Sequence, residues 1–177
     1  LEHFEAFLHS MRMDLTVTEY QTFDDLYEYV YGSAAVIGLQ MVPILEPVND
    51  GAYEPAKDLG VAFQLANFIR DVNEDLDRGR VYLPLEELER FGVSRADLEK
   101  RVLTADIIAA LKFQIQRVRE LEESAKPGIK LLAPWSQPCI DAARVLYCGI
   151  VNEVERNNYE IFTKRASVPM YRRLAVA

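Results

Sequence analysis

The fold class this sequence predicts is all-α. Apolar residues recur three and four positions apart along nearly the whole chain, no strand-length alternation interrupts them, and capping residues with Gly or Pro stops cut the chain into helix-sized pieces. At 177 residues, half of them apolar and with no shift of composition or internal repeat, the chain can bury one substantial core and reads as one domain or the larger part of one.

Glu2 to about Met11 is predicted as a short opening helix. Thr22 and Asp25 then form a capping box for a helix from Phe23 to Val42. Its middle, Gly32-Ser33-Ala34-Ala35-Val36-Ile37-Gly38, is small or apolar all round, which suits a central position where a backbone or a ligand comes close. Pro43 and Pro47 end it. After the turn at Asn49-Asp50-Gly51, Pro55 fits the first turn of a long helix that stops near Gly79. A short helix follows Pro84 and ends near Gly92, Ser94 with Asp97 caps another, and Thr104 to Lys126 is amphipathic until Pro127-Gly128 breaks it. Pro134 and Pro138 bracket a loop. The last helix is expected from about Pro138 to Arg165, with Ile140, Ala143, Leu146, Tyr147, Ile150, Val154 and Ile161 turned to the core.

Charge and cysteine usage narrow the function. With 28 acidic against 20 basic residues the formal charge is −8, which repels a phosphate backbone and argues against nucleic acid as a partner. The apolar stretch Tyr31 to Leu45 is interrupted by Gln40 and Pro43 and is shorter than the ~20 residues of a spanning helix, so a buried helix is expected. The chain starts at Leu1 without initiator Met or secretory leader, and a preceding segment is expected. Cys139 and Cys148 lie on opposite faces of one predicted helix and cannot pair; two free thiols without metal-type spacing suit a reducing compartment, the cytoplasm. His3 and His9 do not share a helix face and read as surface residues.

The chemistry-bearing segment is Gln64-Leu65-Ala66-Asn67-Phe68-Ile69-Arg70-Asp71-Val72-Asn73-Glu74-Asp75. Gln64, Asn67, Asp71 and Asp75 recur three and four residues apart and share one face, beside an apolar stripe of Leu65, Ile69, Val72 and Leu76. An amide and two carboxylates one turn apart are the hard oxygen donors that Mg²⁺ prefers, and Mg²⁺ would bridge them to a diphosphate. The same pattern also describes the solvated face of an amphipathic helix. Gly60, two turns upstream on the ridge, would leave room for a ligand, and Arg78, Arg80 and Tyr82 follow as candidate phosphate contacts or as ordinary surface ion pairs.

Taken together, Asn67-x-x-x-Asp71-x-x-Glu74-Asp75-x-x-x-Gly79-Arg80-x-Tyr82-x-Pro84 resembles the second aspartate-rich signature of phytoene and squalene synthases. Met11-Arg12-Met13-Asp14-Leu15 and Tyr27-x-Tyr29-x-Tyr31-Gly32-Ser33-Ala34-Ala35-x-x-Gly38-Leu39 resemble the same family at matching spacing. The resemblance implies an isoprenoid synthase-type helical bundle around a central cavity, here as the larger, C-terminal part of a single domain (1–177) that lacks its N-terminal helices and first acidic motif. It implies a metal site of Asn67, Asp71 and Asp75, catalytic roles for Tyr29, Asp71, Asp75 and Tyr82, diphosphate contacts from Gln64, Asn67, Arg70 and Arg80, a prenyl channel lined by Ala34, Ile37, Gly38 and Met41, and a lid contribution from Tyr159.

The implied reaction condenses two prenyl diphosphates head to head through a cyclopropylcarbinyl diphosphate. The expected cofactor is Mg²⁺, with Mn²⁺ as a substitute, and the expected product is phytoene from two geranylgeranyl diphosphates. Squalene or dehydrosqualene from farnesyl diphosphate is the nearest alternative, followed by a non-catalytic binding factor and an acidic interaction module. Such apolar substrates would favour peripheral contact with a membrane, although no basic amphipathic anchor is visible. Without the partner acidic helix, the chain alone is expected to be inactive. One departure is Ser33-Ala34-Ala35 where many family members carry Val-Ala-Gly, which would reshape the channel.

Overall fold

The computed structural model describes residues 1–172; positions 173–177 lie outside the described residues. Among the described residues the structure is helical, with one isolated bridge and no strand. Helix α1 covers Glu2–Met13, two residues beyond the expected end. Thr22 closes its predicted capping box with Asp25 at the start of α2 (Phe23–Val30). Where one continuous helix to Val42 was expected, the chain forms a π-helical turn over Tyr31–Ala35, resumes as α3 (Val36–Met41), and tightens to a 3₁₀ turn at Val42–Leu45. Period counting is blind to a single inserted residue, and such bulges cluster at functional sites.

The long helix α4 (Tyr53–Asp77) is the axis of the fold, and α3, the π turn and the two later long helices, Ala105–Ala125 and Gln137–Arg156, pack around it. Arginine at 78 caps it, and Gly79 takes the left-handed conformation (φ 71°) that the turn requires. The short helices α5 (Leu85–Glu89) and α6 (Arg95–Glu99) follow, α6 with the expected Ser94–Asp97 capping box, and α7 spans Ala105–Ala125. Helix α8 runs from Gln137 to Arg156, nine residues short of the expected Arg165. Asn158 and Tyr159 both have positive φ (54° and 61°) and turn the chain back, so that Ile161 and Phe162 enter the core from a non-helical segment. Asn tolerates that conformation at little cost, which period counting alone does not register. Tyr147, expected in the core, is 45% exposed and stacks on Phe63, with ring centroids 4.7 Å apart.

Glycines set the helix crossings. A side chain at Gly32 would collide with the Ala6 carbonyl and the Ser10 hydroxyl of α1, and one at Gly60 would collide with the Ala34 carbonyl. The space that Gly60 was expected to leave for a ligand is therefore filled by the backbone of Ala34. Counted from Phe23 to Leu45, the apolar run is 23 residues with a mean hydropathy of 1.2, enough by length and composition to cross a membrane and longer than the stretch counted from Tyr31. In the fold it packs against α1 and α4, but only 39% of its apolar window is buried and Ile37, Met41 and Ile44 are exposed, so the expected buried helix is buried on one side only.

The connector between α1 and α2 lies beside the segment after α4. Val81 N–H donates to the Thr18 carbonyl (2.8 Å), and Leu85 and Glu86 N–H donate to the carbonyls of Tyr20 and Gln21 (each 3.0 Å). That pairing brings Tyr20 and Asp14 to Arg80 and Tyr82 across more than sixty residues of sequence. On the far side of the core, the buried Glu87 accepts from Gln114 (2.8 Å) and from both guanidinium nitrogens of Arg117 (2.9 and 2.5 Å). Arg117 in turn sits 3.9 Å over the Phe23 ring, which ties α5, α7 and α2 together.

Candidate active site

One face of α4 joins a polar ridge to an apolar cavity. Gln64 belongs to both: it lines the cavity and lies one turn before Asn67 on the ridge. Asn67 Oδ1 is buried and has no hydrogen-bond partner. Leaving such an acceptor unpaired costs about 1–3 kcal/mol. Asp75, one turn beyond Asp71, is 7% exposed, and its carboxyl is pushed up to about 6, first by burial and then by the negative charge of Asp71. Burial also acts on Asp71, but hydrogen bonds from Arg70 (2.7 and 2.5 Å) and Arg165 (2.9 Å) outweigh it and hold that carboxyl below the usual range. Adjacent carboxylates, one kept ionised and one resisting ionisation, form a site that a cation would relieve. Among the described residues no cluster of three or more His, Cys, Asp or Glu could hold a metal by itself; the third donor on the ridge is the Asn67 amide.

Beside the ridge is an aromatic wall. Phe68 and Tyr82 stack face to face (4.1 Å, 5°), Tyr29 lies 5.7 Å from Tyr82 and 6.3 Å from Phe68, and Tyr20 completes the group 5.9 Å from Tyr82. Burial drives the hydroxyls of Tyr20, Tyr29 and Tyr82 to ionise only at higher pH than a free phenol. Arg80 anchors the wall, donating to Asp14 Oδ1 and to Tyr82 Oη (each 3.0 Å) and to the Asp14 carbonyl (2.6 Å). Arg78 is exposed, with a guanidinium nitrogen 3.8 Å from Asp75.

The cavity has a volume of about 290 Å³ and an almost wholly apolar lining drawn from the π turn, α3, α4 and the 3₁₀ turn at Lys126–Leu131. Ala34, Ile37, Gly38 and Met41 all line it, Ile37 and Met41 each 40% exposed on its open side. Ser33 contributes a buried hydroxyl without a partner. Of the residues singled out by sequence, the structure thus groups Gln64, Asn67, Asp71 and Asp75 with Arg70, groups Tyr29 and Tyr82 with Arg80, and sets the four channel residues in one wall. Tyr159 is not among the cavity-lining residues; it follows α8, with Lys112 Nζ 5.4 Å from its ring centroid. Sequence reasoning gave no role to Asp14, Tyr20, Phe68 or Arg165. Asp14 stood inside a matched motif and Phe68 between ridge positions, whereas Arg165 carried no local signal because it was assigned to a helix that ends earlier.

A family model described as squalene/phytoene synthase matches residues 1–172. The 15-cis-phytoene synthase of Synechococcus elongatus is 39% identical over 186 residues, covering 98% of this chain and 60% of its own length. Phytoene synthase 1 of Arabidopsis thaliana is 38% identical over 181 residues, covering 99% of this chain and 43% of its own length. A dehydrosqualene synthase crystallised with a ligand superposes with a TM-score of 0.91 and 29% identity, over 99% of this chain and 62% of that one. The squalene synthase HpnC from Alicyclobacillus acidocaldarius superposes with a TM-score of 0.86 and 25% identity, over 91% and 61%. The chain therefore spans 43% to 60% of the length of the two curated relatives.

Proposed function

This chain belongs to the squalene/phytoene synthase family and has its all-α isoprenoid synthase fold, and on that premise we propose that it supplies one diphosphate-binding helix and the prenyl channel of an enzyme condensing two prenyl diphosphates head to head. Two geranylgeranyl diphosphates would give phytoene by way of a cyclopropylcarbinyl diphosphate. The observation that carries the reading is the unpaired, buried Asn67 Oδ1 on the same face as Asp71 and Asp75, at the head of an apolar cavity.

Asn67, Asp71 and Asp75 would hold Mg²⁺ or Mn²⁺. When bound, the cation supplies the positive charge without which carboxylates would repel a diphosphate, and it stabilises the leaving group. Around it the chain's own residues divide the work. Arg70 and Arg165 flank Asp71 and fix the direction of its oxygens. Gln64 marks the passage from charged head to apolar tail. The wall of Tyr29, Phe68 and Tyr82 offers ring faces to an allylic cation, an attraction worth about 2 kcal/mol once desolvated. Because burial keeps the phenols protonated, that wall presents no phenolate to trap the cation. Asp14 and Arg80 hold the Tyr82 hydroxyl, so the ring keeps its place. The free thiols of Cys139 and Cys148 favour a reducing compartment, the cytoplasm, and the apolarity of the substrates favours peripheral contact with a membrane.

Binding tests this directly. In the protein with the complete family domain, Mg²⁺ and inorganic diphosphate together should raise the melting temperature more than either alone, following RT ln(1 + [L]/Kd). Asp75→Asn should remove the joint effect, and a radiolabelled prenyl diphosphate should be consumed only when Mg²⁺ or Mn²⁺ is present. Absence of both the joint shift and turnover would leave the acidic ridge as a solvated helix face.

A further inference from the structure

We propose that the hydroxyls of Tyr29 and Tyr82 relay the proton expelled during cyclopropane closure to the Asp14 carboxylate; the inference rests on the reading of the site given above. That reaction has to lose a proton. As diphosphate leaves the first prenyl chain with the electron pair of its C–O bond, the allylic carbon joins the double bond of the second chain and the positive charge moves to a tertiary carbon. The ring closes when the newly joined carbon gives up one hydrogen as a proton, and the electrons of that C–H bond form the third side of the ring. The proton needs an acceptor. Asp71 and Asp75 are committed to a cation in this reading, which leaves them poor bases.

The aromatic wall offers Asp14 instead, and the hydrogen bonds around Tyr82 all run toward it. A phenolic oxygen has one hydrogen to give and room to accept two. Tyr82 Oη accepts from Arg80 (3.0 Å) and from the Tyr29 hydroxyl, and gives its own hydrogen to Asp14 Oδ1 (3.3 Å). Tyr29, having given its hydrogen to Tyr82, keeps a lone pair for a proton arriving from the reaction side. It stands one turn before Ser33, which lines the head of the cavity with Gln64, and its ring centroid is 6.3 Å from that of Phe68 on α4.

The two ends of the chain differ in the way a proton exit requires. Tyr29 is 5% exposed, whereas the Asp14 side chain is 30% exposed, so a proton delivered to Asp14 can pass to water outside a site that has to stay dry. The Arg80 guanidinium, 3.0 Å from Asp14 Oδ1, favours the ionised carboxylate that an acceptor must be, and favours release of the proton once it has arrived. Each phenol receives a proton as it gives one. Neither is left as a phenolate that could trap the cation.

The test is single-turnover formation of the cyclopropylcarbinyl diphosphate by the protein with the complete family domain, from farnesyl or geranylgeranyl diphosphate carrying hydrogen or deuterium on the first carbon. In the wild type, proton loss follows the slower ionisation, and deuterium should give only the small secondary effect of ionisation. Tyr82→Phe and Asp14→Asn each break the relay while keeping the shape of the side chain. Each should slow the step by about 10²-fold, the lower end of what a positioned proton acceptor contributes, and bring out a primary isotope effect as proton loss becomes limiting. Asp14→Glu restores a carboxylate and should recover part of the rate. Tyr82→Phe, which removes a single oxygen, decides the matter by itself if the Asp14 variants do not fold. Folded variants that run at the wild-type rate, or that slow without a primary isotope effect, would overturn the relay, make the departing diphosphate the proton acceptor and leave the site reading standing. A wild-type protein that forms the cyclopropylcarbinyl diphosphate from neither substrate would overturn the site reading itself.

Discussion

Asp71→Ala, in the protein with the complete family domain, is expected to lower turnover by at least about 10³-fold, the scale of losing a group that stabilises developing charge, with the melting temperature moving by only a few degrees. The first half follows from position. Asp71 is the one ridge carboxyl held fully ionised, through Arg70 and Arg165, and it neighbours both the unpaired Asn67 oxygen and Asp75. Removing it leaves Asn67 and Asp75 with a weaker grip on a cation and leaves the guanidiniums of Arg70 and Arg165 to repel that cation. The second half follows from compensation. Arg165 is 52% exposed and keeps Glu74 as a partner at 3.0 Å, and Asp75 is relieved of the like charge that raises its carboxyl. Single-turnover kinetics beside a melting curve separate the two halves. A variant that retains wild-type turnover removes this ridge from the reaction, and one that fails to fold makes Asp71 a structural residue.

How much of this was legible in the sequence differs by element. Caps, Gly stops and the ridge spacing are local signals, and the structure has them where they were expected: both capping boxes, the left-handed Gly79, and Gln64, Asn67, Asp71 and Asp75 along one side of α4. The π turn at Tyr31–Ala35 was not visible, since it inserts a residue without disturbing the small, apolar composition around it. The early end of α8 was hidden for another reason: Ile161 is buried, as its helical phase suggested, but the chain reaches the core by a turn at Asn158 and Tyr159. Arg165 at Asp71 and Tyr20 beside Tyr82 are tertiary facts, set by which segments lie side by side. Gly60 carried the right signal with the wrong occupant, because a glycine reports a close approach without saying whether backbone or ligand makes it.

The largest effect on stability is expected away from the acidic ridge, at Arg117. Glu87 is 3% exposed and, among the described residues, its only cationic partner in hydrogen-bond contact is Arg117, itself packed over Phe23, so Arg117→Leu strands a carboxylate in the core. Breaking one side of such a pair costs about 3–5 kcal/mol, which in a domain of this size lowers the melting temperature by about 10 °C. Replacing both partners is different. Arg117→Leu with Glu87→Met removes the buried charge as well, and most of the loss should return, because the attraction of a buried pair largely offsets its own desolvation. Acid supplies an independent check with a defined sign. In the native protein burial pushes the Glu87 carboxyl up, but hydrogen bonds from Arg117 and Gln114 overcome it and hold it below the ordinary 4.5. Its contribution is therefore fully present above about pH 4.5 and is lost as pH falls through the lower folded value. In Arg117→Leu burial is opposed only by Gln114 and the more distant charge of Arg90, the carboxyl rises above its unfolded value, and the penalty grows as pH rises through it. The melting-temperature deficit of the single variant should consequently be wider at pH 7 than at pH 4, while the double variant's deficit carries no such pH dependence from this position. Equal losses in single and double variants, unchanged between the two pH values, would mean that Arg117 stabilises the fold through its packing on Phe23 and not by neutralising Glu87.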